Sequence, residues 1–221
     1  FSSGLPLALT GGTLQAWMTV EGVDLSTIGI FTLVGLPYTW KFVWAPAMDR
    51  FVPPFLGRRR GWLLVTQLAL AASIGGMALL SPRTDLVLLA VLAIVIAFAS
   101  ASQDIVVDAY RTDVVNREQR GLAGALGVVG YRVAMLVSGA LALVLVGGSG
   151  WIPAIGWNNI YLLMAALMAV GVAATLLGEE PVASAPPPRT LREAVVEPLR
   201  EFFSRPGAIG LLVLLVLYKL G

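Results

Sequence analysis

Neither cysteine nor histidine occurs in the 221 residues. The first absence removes disulfides, thiol nucleophiles and thiolate metal sites. The second removes Ser-His-Asp and Cys-His catalysis and the commonest transition-metal ligand. Charge is scarce as well: 13% of residues are Asp, Glu, Lys or Arg, against roughly 25% in soluble domains. Hydrophobic residues make up 57%, so the chain is expected to be an all-α polytopic membrane protein. No metal site, cofactor or nucleic-acid partner is expected. With the usual acid–base and nucleophilic groups missing, an enzyme is not expected either. A proton carrier working near neutral pH must then be an Asp or Glu with a raised pKa, or a Lys with a lowered one.

About 20 apolar residues cross the hydrocarbon core as a helix, and six such stretches are present. They are expected at Phe1–Val20, Thr27–Met48, Trp62–Leu80, Leu86–Tyr110, Gly121–Val146 and Ile160–Gly178. The composition then changes. Glu179–Pro206 is polar, contains Pro186-Pro187-Pro188, and carries an amphipathic piece from Leu191 to Phe203. A seventh apolar run starts at Gly207 and stops at Gly221. The expected division is a bundle at 1–178, a linker at 179–206 and a partial helix at 207–221. An opening Phe1 and an end inside an apolar run read as part of something longer. Arg50, Arg58, Arg59, Arg60, Arg117, Arg120, Arg189, Arg192, Arg200 and Arg205 fall in the loops after spans two, four and six. The opposite loops hold only Arg83, so the basic side is expected to be cytoplasmic.

Four spans carry polar or ionisable groups at depth: Gln15, Lys41, Asp104 with Asp108 and neighbouring Gln103, and Arg132. A carboxylate inside a bilayer is costly and usually faces a bundle interior or a wet cavity. Asp104 and Asp108 are four apart and share a helix face. At 1.5 Å per residue, Arg132 lies ~17 Å from Gly121, Lys41 ~21 Å from Thr27 and Asp104 ~27 Å from Leu86. Lys41, Asp104 and Arg132 are therefore expected to converge on one cavity, with Asp108 placed to pair with Arg111. Tyr38 and Tyr131, each beside a buried cation, are candidate contacts for a sugar ring. Gly124, Gly127 and Gly130 are read as helix packing. Two interpretations stay open: an ion-pair network that locks the helices, or a proton- and substrate-handling site.

Asp49-Arg50 followed by Gly57-Arg58-Arg59-Arg60 resembles the D-R-x-G-R-[KR] signature of the major facilitator superfamily, lengthened by an insertion. The resemblance implies a cytoplasmic gate at Asp49, Arg50, Arg58, Arg111 and Asp113. GLPYTWKFVWAPAMDRF, PPFLGRRRGWL, ASQDIVVDAYRTD and GYRVAMLVSG are similar to the AmpG-type muropeptide permeases of that superfamily. The chain is thereby identified as a six-helix N-terminal bundle with a partial seventh helix, lacking spans eight to twelve. The resemblance implies proton-driven import of anhydro-muropeptides across the bacterial inner membrane for cell-wall recycling, with an influence on β-lactamase induction. It implies a cavity lined by Gln15, Lys41, Gln103, Asp104 and Arg132, with Asp104 or Asp108 coupling the proton. The lipid bilayer, the substrate, protons and the missing C-terminal half are the implied partners. A related carrier for another solute such as acetyl-CoA, or a non-transporting six-span scaffold, remains the alternative.

Overall fold

The computed structural model describes residues 1–148, 151–181 and 190–220, with the side chains of Arg117, Leu191, Lys219 and Leu220 not described. Pro186-Pro187-Pro188 and Arg189 of the expected linker, with Gly221 of the last helix, lie outside the described residues, as do Ser149 and Gly150. Among the described residues every regular element is helical.

The first two spans are interrupted rather than straight. Span one (residues 5–20) runs as Leu5–Ala8, a wider π turn at Leu9–Thr13, and Leu14–Val20. Gly11 sits in that turn at φ −87°, ψ −110°, outside helical values. A glycine at a π-bulge is a common cause of a kink. Span two begins where the Asp24 carboxylate accepts the Thr27 N–H at 3.2 Å, an N-cap. It continues as Leu25–Phe31, a tighter turn at Thr32–Gly35, Leu36–Trp40, a second tight turn at Lys41–Val43, and Ala45–Arg50. Pro37 and Pro46 lie in the first turns of the two later α-helical pieces. Each lacks an N–H and clashes with the carbonyl four residues back, so the helix restarts at both.

The remaining spans are longer. Span three is Arg58–Met77, four residues ahead of the expected start, and span four is Leu86–Val114. Span five covers 120–147 with a π turn at Val137–Leu141, and span six is Trp157–Leu177. An amphipathic helix, Leu191–Ser204, and an apolar helix, Ala208–Leu220, follow. Among the described residues three helices are by themselves long and apolar enough to cross a membrane: Leu86–Val114, Arg120–Gly147 and Trp157–Leu177. A fourth candidate is the bent pair formed by the last two helices. The other three expected spans are helical but broken or more polar. Prolines and Gly11 divide the first two, and Arg58, Arg59, Arg60 and Gln67 dilute the third.

Leu5, Leu14, Trp17, Leu70, Ile74, Leu89, Ile96, Ile160 and Met164 form the core between spans one, three, four and six. Trp17 stacks on Trp157 at 6.1 Å and meets Tyr161 at 5.0 Å, so it joins spans one and six. Apolar residues gain little from leaving lipid for one another, so close packing and interhelical hydrogen bonds carry the association. Thr175 donates to buried Gln67 Oε1 at 2.9 Å, joining spans three and six near one end. At the other end Asn158 donates to the Ala78 and Leu80 carbonyls at 2.8 and 3.0 Å.

The glycine stripe of span five is in close packing only in part. A Cβ at Gly121 or Gly124 would meet nothing within 4 Å, whereas one at Gly127 would meet the Arg111 guanidinium at 2.5 Å and one at Gly130 the Phe1 nitrogen at 3.5 Å. Equally close approaches occur at other glycines. A Cβ on Gly171 would lie 2.5 Å from Ser2 Cβ, and one on Gly4 would lie 2.4 Å from the Tyr131 carbonyl oxygen. Gly171→Ala and Gly4→Ala are each expected to destabilise the protein by ~1–3 kcal/mol through overpacking. Thermal unfolding in detergent, with Gly121→Ala as the neutral control, measures this.

Candidate functional site

Asp104 is held from three helices. Its own span four presents it with 13% side-chain exposure, and Lys41 Nζ of span two lies 3.6 Å from Oδ2. Ser3, just ahead of span one, donates its hydroxyl to Oδ1. The proline breaks explain how Lys41 arrives. The tight turn Lys41–Val43 leads into Trp44, whose indole N–H donates to Ser102 Oγ at 3.0 Å and whose ring meets Phe98 at 4.7 Å. That staple fixes span two to span four, and Lys41 reaches the carboxylate just before it.

Neighbouring polar atoms are left incomplete. Gln103 is fully buried; its Nε2 donates to Ser2 Oγ at 2.8 Å, while its Oε1 has no hydrogen-bond partner among the described residues. Tyr38 Oη and Ser100 Oγ lie near each other without completing a hydrogen bond. Buried polar atoms without partners are costly and rare. Three of them around one ion pair make this region chemically unlike the rest of the core.

Beside Asp104 a cleft of about 280 Å³ is lined by Ser3, Asp104, Asp108, Arg111, Val128 and Tyr131, among others. Asp108 pairs with Arg111 at 2.9 Å on the more exposed side of that cleft. Asp104, Asp108 and Tyr131 line the cleft and Lys41 reaches Asp104, whereas Tyr38 and Gln103 do not line it; Gln103 is turned to Ser2. Arg132 does not line it either: it is exposed, and its nearest polar contact is Met135 Sδ at 4.0 Å. Successive helical residues diverge by about 100°, so a helix that turns Tyr131 into the cleft turns Arg132 away. Gln15 is half-buried farther along span one, and no side-chain hydrogen bond links it to the cleft. Ser2, Ser3 and Ser100 were not singled out by the sequence reasoning. Two adjacent hydroxyls ahead of an apolar run were the only available signal.

A second constellation ties the ends of spans two, three, four and six. Arg59 donates to Asp49 at 2.7 Å and to Asp113 at 2.9 Å. Glu180 accepts the backbone N–H groups of Arg59 and Arg60 at 2.8 and 2.9 Å. A carboxylate there satisfies orphan donors and the positive end of the span-three dipole. Gly57, at φ +82°, has the Glu180 carboxyl within 2.6 Å of where a Cβ would stand. Arg60 makes the converse contact, donating to the Thr175 and Leu176 carbonyls that end span six, at 2.8 and 2.9 Å. Tyr110 Oη donates to the Glu179 carbonyl at 2.8 Å. Asp49 and Asp113 thus belong to the latch, but Arg50 lies over the Phe51 ring at 5.5 Å and Arg111 pairs with Asp108. No ion pair forms at Arg58 among the described residues. Arg59, Arg60 and Glu180, and not Arg50 or Arg58, make the contacts that join these span ends.

Glu180→Gln keeps the side chain's shape but removes its charge from the span-three N-terminus. We expect a loss of about 0.5–2 kcal/mol, the range for a lost charged contact at a helix end. Thermal unfolding compared with Glu179→Gln, whose carboxylate makes no such contact, tests it.

The family model described as Major Facilitator Superfamily matches residues 1–220. The anhydromuropeptide permease of Escherichia coli is 58% identical over 221 residues, covering 100% of this chain and 44% of that protein. An uncharacterized protein of Haemophilus influenzae is 41% identical over 226 residues, with 52% of it covered. A putative transporter AmpG 4 of Rickettsia felis is 32% identical over 234 residues, with 54% of it covered. The chain spans about half the length of the curated relatives it matches.

Proposed function

Since the chain belongs to the Major Facilitator Superfamily, and is membrane-embedded as that family is, we propose that it forms the first half of a proton-driven importer of anhydro-muropeptides. The cargo moves from periplasm to cytoplasm across the bacterial inner membrane, with the basic loops cytoplasmic. The observation that carries this is the 58% identity along the whole chain to a protein named anhydromuropeptide permease. In this reading residues 1–178 are the N-terminal bundle, 179–206 the cytoplasmic linker and 207–221 the start of the seventh helix.

Asp104 is the coupling group. While it is ionised it holds Lys41 at 3.6 Å. A proton entering from the outside neutralises the carboxylate and frees the Lys41 ammonium for a carboxylate of the muropeptide peptide. Tyr131, which lines the cleft, offers a ring face to a sugar. Loss of the proton to the cytoplasm restores the Lys41–Asp104 pair and displaces the cargo. Asp108 with Arg111 shapes the more exposed side of the cleft, and the Arg59 latch closes the cytoplasmic face.

Uptake of labelled anhydro-muropeptide by proteoliposomes carrying the full-length transporter tests the cargo. Uptake that a protonophore abolishes is expected. Failure of well-folded protein to take up muropeptide, with or without a gradient, would overturn the assignment.

A further inference from the structure

The helix Leu191–Ser204 has no part in the transport site. It starts cleanly: the Thr190 hydroxyl accepts the Glu193 N–H at 3.1 Å. At 100° per residue, Val195, Val196, Leu199, Phe202 and Phe203 fall on one arc. Glu193, Glu197, Arg200 and Glu201 fall on the opposite one, while Arg192, in the first turn, falls within the apolar arc. The helix packs against Ala45–Arg50, the end of span two beside the Arg59 latch. That contact does not cover the apolar arc: Val195, Val196, Leu199 and Phe203 are 42, 46, 53 and 57% exposed. Through a turn containing Gly207 at φ +86°, the chain bends by 101° into the apolar helix Ala208–Leu220. A following helix directed along the bilayer normal therefore leaves Leu191–Ser204 in the membrane plane, at the level of the basic boundary.

We propose that this segment is an interfacial helix that lies on the cytoplasmic leaflet, with Val195, Val196, Leu199 and Phe203 inserted at the boundary between headgroups and acyl chains. It uses the membrane embedding and the orientation proposed above, but not the identity of the cargo. The occupant of the apolar arc is lipid because the helix joins two membrane-embedded parts of one chain at the water boundary. Amphipathic helices with such an arc bury it to a depth of about 5–10 Å. Arg192, Arg200 and Arg205 balance Glu193, Glu197 and Glu201, so insertion depends on the apolar arc and not on anionic lipid.

Single cysteines at Leu199 and Phe203, and at Glu197 and Arg200, are introduced into otherwise cysteine-free full-length protein and labelled with an environment-sensitive fluorophore. The protein is reconstituted in phosphatidylcholine vesicles with and without phosphatidylglycerol. Nitroxide on a shallow acyl carbon is expected to quench the Leu199→Cys and Phe203→Cys probes severalfold more than the Glu197→Cys and Arg200→Cys probes, which iodide quenches instead. The pattern is expected not to change with phosphatidylglycerol. Equal iodide quenching at all four positions would overturn the proposal in favour of a solvated linker. Apolar-face probes shielded from both quenchers would overturn it in favour of a protein occupant. Leu162→Cys on span six must be quenched by the lipid nitroxide. If it is not, the embedding itself fails, separately from the placement of this helix.

Discussion

Asp104→Asn is expected to abolish accumulation of muropeptide against its gradient while the protein still folds and inserts. Asparagine keeps the size of the side chain, and its carbonyl can still accept the Ser3 hydroxyl. It cannot exchange a proton, and it offers Lys41 no charge in place of the carboxylate 3.6 Å away. One proton moving down a gradient of about 1.7 pH units supplies about 2.3 kcal/mol, roughly a fifty-fold accumulation ratio. Without the coupling group that ratio should fall toward one, whereas downhill exchange of labelled for unlabelled muropeptide should persist. Accumulation and exchange are measured in the same proteoliposomes, with and without an imposed gradient. Accumulation unchanged from the parent would make the Lys41–Asp104 pair a helix lock and not a coupling device. A similar replacement at Asp108 should cost less, because its pair with Arg111 is open to solvent, at 62 and 36% side-chain exposure.

The second large effect is expected at the latch. Arg59 has 13% side-chain exposure and serves Asp49 and Asp113 together. Arg59→Ala leaves both carboxylates without their partner. Intact buried pairs lose 3–5 kcal/mol when one member is removed, but Asp49 and Asp113 are 43 and 29% exposed. A loss of about 1–3 kcal/mol is therefore expected after allowing for water. A change of about 2 kcal/mol would shift an open–closed equilibrium roughly thirty-fold. The variant should show a lower unfolding temperature and faster labelling at the ends of spans two and four that Arg59 joins. Arg59→Lys should recover only part of this, since an ammonium cannot present two fixed N–H directions. Arg58→Ala is the control. If Arg58→Ala and Arg59→Ala behave alike, the latch is a general basic patch and not the specific bridge.

The contrast between these arginines shows what could be read from the residues. Arg58, Arg59 and Arg60 are chemically identical neighbours, so composition marked the loop as basic and the signature marked it as a gate. Which arginine bridges the carboxylates depends on where the helix begins. That start depends on Glu180, more than a hundred residues away, reaching two backbone N–H groups. A side-chain-to-backbone contact leaves no pairing pattern in the sequence. The approach of Lys41 to Asp104 was legible, because two opposite charges at similar depth in adjacent spans have strong reason to meet. Arg132 is exposed and does not line the cleft beside Asp104, because helical rise gives a depth but no direction. Pro37 and Pro46 lie inside the expected span two. Their consequence, a tight turn that presents Lys41, required the fold. The glycines of span five show the same limit. Their spacing was legible, but what stands opposite them was not, and at Gly127 it is an arginine side chain.

The most direct measurement is proton movement evoked by the cargo. Full-length transporter is reconstituted in vesicles containing a pH-sensitive dye, anhydro-muropeptide is added outside, and lumenal pH is followed. The account predicts that muropeptide acidifies the lumen in step with its uptake and that Asp104→Asn removes the acidification. Muropeptide uptake without acidification, or acidification that survives Asp104→Asn unchanged, would contradict it.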